Sequence, residues 1–264
     1  MIYRASGIRW RQYAAITVDA TGWGGGAVDA EITIPRDLEA FWSLIDNSAA
    51  EARVLSPDLG TVLTYKITTA AGGTFDATAK SNRDGKISID NWTPPAAQMC
   101  RLVLAWHATG ASSAASVLTT SSPLTGYIAT GLPRIGWRAK LERPGATQPS
   151  TRLQKSASDA LRVYVDVSGL VQGREGRMAG PGATAGALRY MSYTVDTGGA
   201  SQAGMKSATS LRFVGESTAY FLVQAGTSGT DYTINASADV VYTDGTSDTI
   251  NPRAMLRVRS TTEA

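Results

Sequence analysis

The sequence predicts a mainly β protein, built as two β-sandwich domains joined by a long extended arm, and three observations carry that reading. Short segments in which apolar and polar residues alternate with period two recur through most of the 264 residues. Turn-forming pairs such as Asp84-Gly85 and Asp244-Gly245 stand between them. The composition is 43% hydrophobic but only 18% charged, with 27 glycines, so a sizeable core is within reach. One cysteine excludes an intramolecular disulfide framework, so that core must hold the fold without covalent staples.

The first domain is expected over residues 1–118. In residues 13–19, Ala14, Ile16 and Val18 fall on one face and Tyr13, Ala15 and Thr17 on the other, the pattern of a half-buried strand. The run Gly22-Trp23-Gly24-Gly25-Gly26 packs little and reads as a loop. Residues 29–34 resume an extended pattern. Pro35 then suits the first position of a helix, where its missing N–H costs nothing. Leu38, Phe41, Trp42 and Ile45 form an apolar stripe at helical spacing, which predicts a short helix over 36–46. Strands follow at 52–55, 62–68 and 86–90. Residues 99–107 are apolar on both faces, as in the middle of a sheet.

Residues 109–122 are nearly all Ala, Ser, Thr and Gly, too poor in large apolar groups to make a core. Residues 123–158 add prolines and basic residues but little periodicity. Together they predict an extended arm over 119–158 whose order must come from neighbouring molecules. The second domain, 159–264, is purer β. Residues 161–168, 189–196, 218–225, 231–243 and 254–259 each alternate with period two. Tyr232, Ile234, Ala236, Ala238, Val240 and Tyr242 share one face, and Asp244-Gly245 turns the chain so that 246–250 can pair back. About seven short strands in ~100 residues is the spacing of an immunoglobulin-like sandwich.

The chemistry that the residues could carry is narrow. The single histidine, His107, ends an apolar strand, and a nucleophilic triad would need it as base. Its strand-end position instead predicts a structural role, satisfied by backbone groups. Cys100 reads as a small buried hydrophobe. No phosphate-cradling glycine motif and no calcium-loop pattern occurs, and no cofactor is expected. The carboxylate pairs Asp29/Glu31 and Asp37/Glu39 could in principle serve a glycosidase, but 22 acidic residues supply such spacings by chance. Asp37 and Glu39 are better explained as first-turn acids of the helix. The reading is of a non-enzyme.

Net charge is +3, and the basic residues are scattered, so neither nucleic acid nor a membrane is an expected partner. The nearest approach to a basic cluster is Arg134, Arg138, Lys140, Arg143, Arg152 and Lys155, all within the expected arm. Arg134, Trp137, Arg138, Lys140, Arg143 and Arg152 are therefore the candidates for contact with neighbouring subunits. Trp42 and Trp106 fit core positions. Trp23, in its glycine loop, and Trp92, before Pro94-Pro95, are the candidate exposed aromatics.

The second half resembles the immunoglobulin-like domain of bacteriophage fibre–tail adaptor proteins. The carrying residues are Ala225-Gly226-Thr227-Ser228-Gly229-Thr230-Asp231-Tyr232-Thr233-Ile234, then 240–245, then Leu256-Arg257-Val258. The first half resembles a β-rich domain of unknown function of phage and bacterial surface proteins, through Trp10-Arg11-Gln12-Tyr13, Phe41-Trp42 and Trp92-Thr93-Pro94-Pro95. Trp106-His107-Ala108-Thr109-Gly110 departs from the Tyr-Gly-Asn-like turn of those relatives. The resemblance implies a structural protein of the virion, in the tail or adaptor region, partnered by copies of itself and by other phage structural proteins. A capsid decoration protein and a module for host glycan, using Trp23 and Trp92, are the alternatives.

Overall fold

A computed structural model describes residues 3–5, 8–10, 12–56, 61–107, 123–131, 133–139, 149–169, 187–207, 210–242 and 246–259. The protein is mainly β and divides into two compact units, Met1–Thr130 and Gly131–Ala264. No helix among the described residues is long and apolar enough to cross a membrane.

Unit 1 contains β1 (Tyr3–Ala5), β2 (Ile8–Trp10), β3 (Gln12–Ala20), β4 (Val28–Thr33), α1 (Glu39–Leu44), β5 (Arg53–Leu55), β6 (Tyr65–Thr68), α2 (Ala77–Ser81), β7 (Lys86–Trp92), β8 (Gln98–Trp106) and β9 (Leu124–Ile128). β1 and β2 pair with each other. The others form a sheet in the order β5-β8-β3-β9-β4-β7-β6. The expectation for β8 holds: it lies between β3 and β5, with both of its faces buried.

The apolar stripe of α1 does what its spacing predicts. Phe41, Trp42 and Ile45 are buried, and Phe41 meets Trp42 and Trp106 edge-on at centroid distances of 5.1 and 5.4 Å. Two indoles fasten the helix: Trp42 Nε1 donates to the Pro35 carbonyl at 2.8 Å and Trp106 Nε1 to that of Ala40 at 3.1 Å. The helix is shorter than the predicted 36–46. Pro35 opens a turn, closed by Leu38 N–H, and the first helical residue is Glu39. Helix α2 was not expected. Its signal is Asp76, an N-cap whose carboxylate accepts the Ala79 N–H at 2.8 Å.

Unit 2 contains β10 (Ile135–Arg138), β11 (Arg152–Ser156), β12 (Leu161–Asp166), β13 (Ala187–Thr197), β14 (Ala200–Ser201), a 3-10 turn (Ala203–Met205), β15 (Arg212–Val214), β16 (Thr218–Val223), β17 (Asp231–Val241), β18 (Ser247–Ile250) and β19 (Arg253–Arg259). One sheet runs β10-β12-β16-β15. The second set runs β11-β19-β17-β13, with β14 on β13 and β18 on the far half of β17. Tyr193 of β13 joins the two layers. Its ring stacks on Phe221 of β16 at 4.0 Å, and its hydroxyl lies 2.8 Å from the Leu222 carbonyl. The predicted hairpin is present, with Val241 opposite Ser247.

The arm expectation is corrected wherever that segment is described. Within 119–158, β9 pairs with β3 and β4, β10 with β12 and β11 with β19. Its order comes from the chain's own sheets and needs no neighbouring molecule. Apolar periodicity was weak because of which residues point inward. In β9 a buried position is Gly126, where an added Cβ would stand 2.3 Å from Ile32 Cγ1. In β10 the face opposite Trp137 carries Gly136, half-buried against Tyr164, where a Cβ would meet the Tyr164 carbonyl oxygen at 2.3 Å, so no polar residue marks the alternation there. In β11 the inward residues are Leu153 and Lys155. A strand glycine marks close approach of another chain segment, and a glycine or lysine in the core hides the alternation.

Candidate assembly surface

The subunit-contact candidates that are described lie on two edges of unit 2. Among the described residues β10 pairs with β12 alone and β11 with β19 alone, so each stands at the edge of its set of strands. Arg134 and Arg152 are exposed. Arg138 is 73% exposed and its Nε donates to Asp166 at 3.3 Å, a surface pair that leaves the guanidinium accessible. Ile135 is 43% exposed, a large apolar side chain standing between Arg134 and Arg138 on an edge. Ile135 shares the face of Trp137, two residues on, and stands opposite Val163 as Trp137 stands opposite Val165, yet at the first position of the strand it remains exposed.

Trp137 is corrected from contact residue to core residue. It is 3% exposed and meets Phe221 edge-on at 6.0 Å. Lys140 and Arg143 lie outside the described residues. Lys155, grouped with the basic residues of the expected arm, is buried. Its ammonium donates to the carbonyls of Ser156 at 2.5 Å and Ala225 at 2.6 Å. Burial lowers its pKa, partly offset by Asp159. The charge is spent on fixing β11 to the turn before β17.

In unit 1, Trp92 is corrected in the same way: it is 7% exposed, placed inward opposite Val28. Trp23 is half-buried, its Nε1 donating to Gly26 at 3.3 Å across its own loop. The two indoles therefore form no shared exposed platform. The carboxylates weighed for hydrolysis all have structural partners. Buried Asp29 accepts the Asn91 N–H at 2.9 Å, where β7 bulges and Asn91 adopts φ 50°. Glu31 pairs with Lys86 at 3.0 Å, Asp37 accepts from the Thr130 hydroxyl at 2.7 Å, and Glu39 pairs with Arg83 at 2.7 Å. Glu31, Lys86, Thr125 and Tyr127 line a shallow cleft of about 350 Å³. Among the described residues there is no group of three His, Cys, Asp or Glu side chains able to hold a metal ion.

His107 follows the last residue of β8 in the left-handed region, with φ 58°. Its Nδ1 lies 3.9 Å from Glu51 Oε2, so its neighbour is a carboxylate as well as the strand end. Cys100 is fully buried, and burial, followed by the charge of Asp19, pushes its thiol pKa up to about 12. The folded chain thus holds this proton more tightly than the unfolded one, so the contribution is complete below pH ~9 and lost as pH rises toward 12. Two outcomes follow. Cys100 should not react with a disulfide reagent at pH 8 until the chain is unfolded. The Cys100→Ala variant should lose less stability than the wild type between pH 9 and 12, measured by urea unfolding; parallel curves would refute the assignment. No protein-family model matches the chain, and neither does any curated protein.

Proposed function

We propose that the chain is a non-enzymatic structural protein of a bacteriophage particle, in the tail or adaptor region, that works through contacts between subunits. The observation that carries the reading is the exposed Ile135, flanked by Arg134 and Arg138 on the β10 edge. An apolar side chain on an edge strand is a liability in a solitary protein and a binding device in an assembly. A capsid decoration role would use the same surface and is the alternative reading.

Unit 2 supports the immunoglobulin-like part of the proposal in two ways. Strands β12, β16 and β15 share one sheet and β13, β17 and β19 the other, which matches the B-E-D and C-F-G partition of that fold. Tyr232, at the start of β17, accepts the Thr227 N–H on its hydroxyl at 2.7 Å, five residues upstream. That is the geometry of the tyrosine corner found in such domains. The Tyr232 corner falls in the segment whose sequence resembles the adaptor proteins. One departure is that β10 runs parallel to β12.

The test is sedimentation of the purified chain, alone and with tail proteins, beside an Arg134→Glu, Ile135→Lys double variant. Wild type should self-associate or co-sediment, and the variant should lose at least tenfold in association while keeping its far-ultraviolet spectrum. A wild-type chain that stays monomeric at all concentrations and joins no particle protein would end the proposal.

A further inference from the structure

We propose that β9 is an exchangeable strand, and that copies of this chain can assemble by inserting it into the slot between β3 and β4 of a neighbour. The starting point is strand order. β3 and β4 are consecutive, with only residues 21–27 between them, yet they do not pair: β9 lies between, antiparallel to β3 and parallel to β4. Adjacent strands in sequence normally pair directly. Here each is completed by a segment about a hundred residues downstream.

The hold on β9 is modest. It has three register pairs on each side: Ile16↔Ile128, Thr17↔Tyr127 and Val18↔Gly126 with β3; Ala30↔Leu124, Glu31↔Thr125 and Ile32↔Gly126 with β4. Only Gly126 and Ile128 are buried, and Gly126 contributes no side chain. The slot is correspondingly specific. Ile32 and Val18 close over Gly126, leaving no room for any larger residue there. A second copy carries the same five residues, so the exchanged pairing would repeat every bond of the unexchanged one.

The connection permits this. β8 ends with Trp106 opposite Gln12, whereas β9 begins at Leu124, two residues before Gly126, which stands opposite Val18. The two strand ends are therefore separated by about eight residues along β3 and two strand spacings sideways, about 29 Å in a straight line. Residues 107–123 could span up to about 60 Å when extended, roughly twice that need. Beyond β9 only residues 129–134 precede β10, so unit 2 travels with the strand. An exchanged assembly would join the first unit of one copy to the second unit of the next, a low-cost route to oligomers. It needs neither the β10 nor the β11 edge, so it can fail or succeed separately from the proposed edge contact.

The test uses the Glu31/Thr125 register pair, whose side chains both line the cleft. Full-length Glu31→Cys and Thr125→Cys chains are denatured, mixed, refolded together and oxidised. The double-substituted chain, treated alone at high dilution, should close its disulfide within one molecule; Cys100 is buried and stays out of the reaction. Exchange predicts a mixed disulfide dimer of the two singly substituted chains, retained in the Arg134→Glu, Ile135→Lys background. Absence of the mixed dimer, while the double variant closes internally, would overturn the proposal. A second variant removes residues 109–120, leaving five residues whose reach of about 20 Å cannot bridge β8 to β9 within one chain. It should fold cooperatively as a dimer or larger species. A cooperatively folded monomer, or a chain without a cooperative melt, would also overturn the idea.

Discussion

Replacing Gly126 by valine is expected to expel β9 from its sheet and to cost at least ~3 kcal/mol in urea unfolding, the upper range for forced overpacking. A Cβ at 126 would sit 2.3 Å from Ile32 Cγ1 and 3.4 Å from Val18 Cγ2, on both flanking strands at once. The Ile32 contact is closer than any real Cβ tolerates, and Ile32 is fully buried and cannot swing aside freely; Val18, already in van der Waals contact with the Cβ, leaves little space for the further methyl carbons of valine. The strand has few other anchors, so it leaves rather than distorts the sheet. Hydrogen exchange should then show β3 and β4 amides losing protection together. Gly22→Ala is the control. Its Cβ would meet nothing within 4 Å, and the change should stay within about 0.5 kcal/mol. A Gly126→Val chain as stable as that control would mean β9 is not held as described.

Truncating Tyr193 to alanine should destabilise unit 2 by roughly 3–5 kcal/mol, the range for a buried aromatic. The ring supplies the stack on Phe221 that joins the two layers of strands. Its hydroxyl accepts the Ser207 N–H at 3.0 Å and lies within donating distance of the carbonyls of Leu222 and Ser207. Burial raises its pKa, so it stays protonated and able to donate through the neutral range. Tyr193→Phe separates the two contributions. It keeps the stack but strands a buried N–H, and should cost about 1–3 kcal/mol. If Phe and Ala cost the same, the stack contributes nothing and the packing account is wrong.

Much of the fold was legible because its strands advertise themselves locally. β3, β8, β12 and β17 place residues such as Ile16, Leu102, Val163 and Ile234 at two-residue intervals, and all four are buried. Helix α1 was legible through the Phe41/Trp42 stripe, although its start moved because Pro35 serves a turn. Cys100 was legible as a buried small side chain. The candidate surface was legible only in part. Arg134, Arg138 and Arg152 are exposed, whereas Trp137 and Trp92 are core. An aromatic in a weakly patterned segment looks accessible until the partner ring, here Phe221, is brought to it by a strand far along the chain.

By itself the sequence determined the mainly β class, the hairpin at the end of β17, the aromatic cluster around α1 and the absence of disulfide staples. Tertiary structure alone decided where residues 124–128, 135–138 and 152–156 belong. Their inward positions include Gly126 and Lys155, which carry no apolar signal, and β9 and β11 are each held by a strand about a hundred residues away. Period-two alternation reports only which face a residue takes. Which strand lies alongside is a matter of non-local fit, and at Gly126 that fit is set by Ile32 and Val18, neighbours in space that the local sequence does not contain.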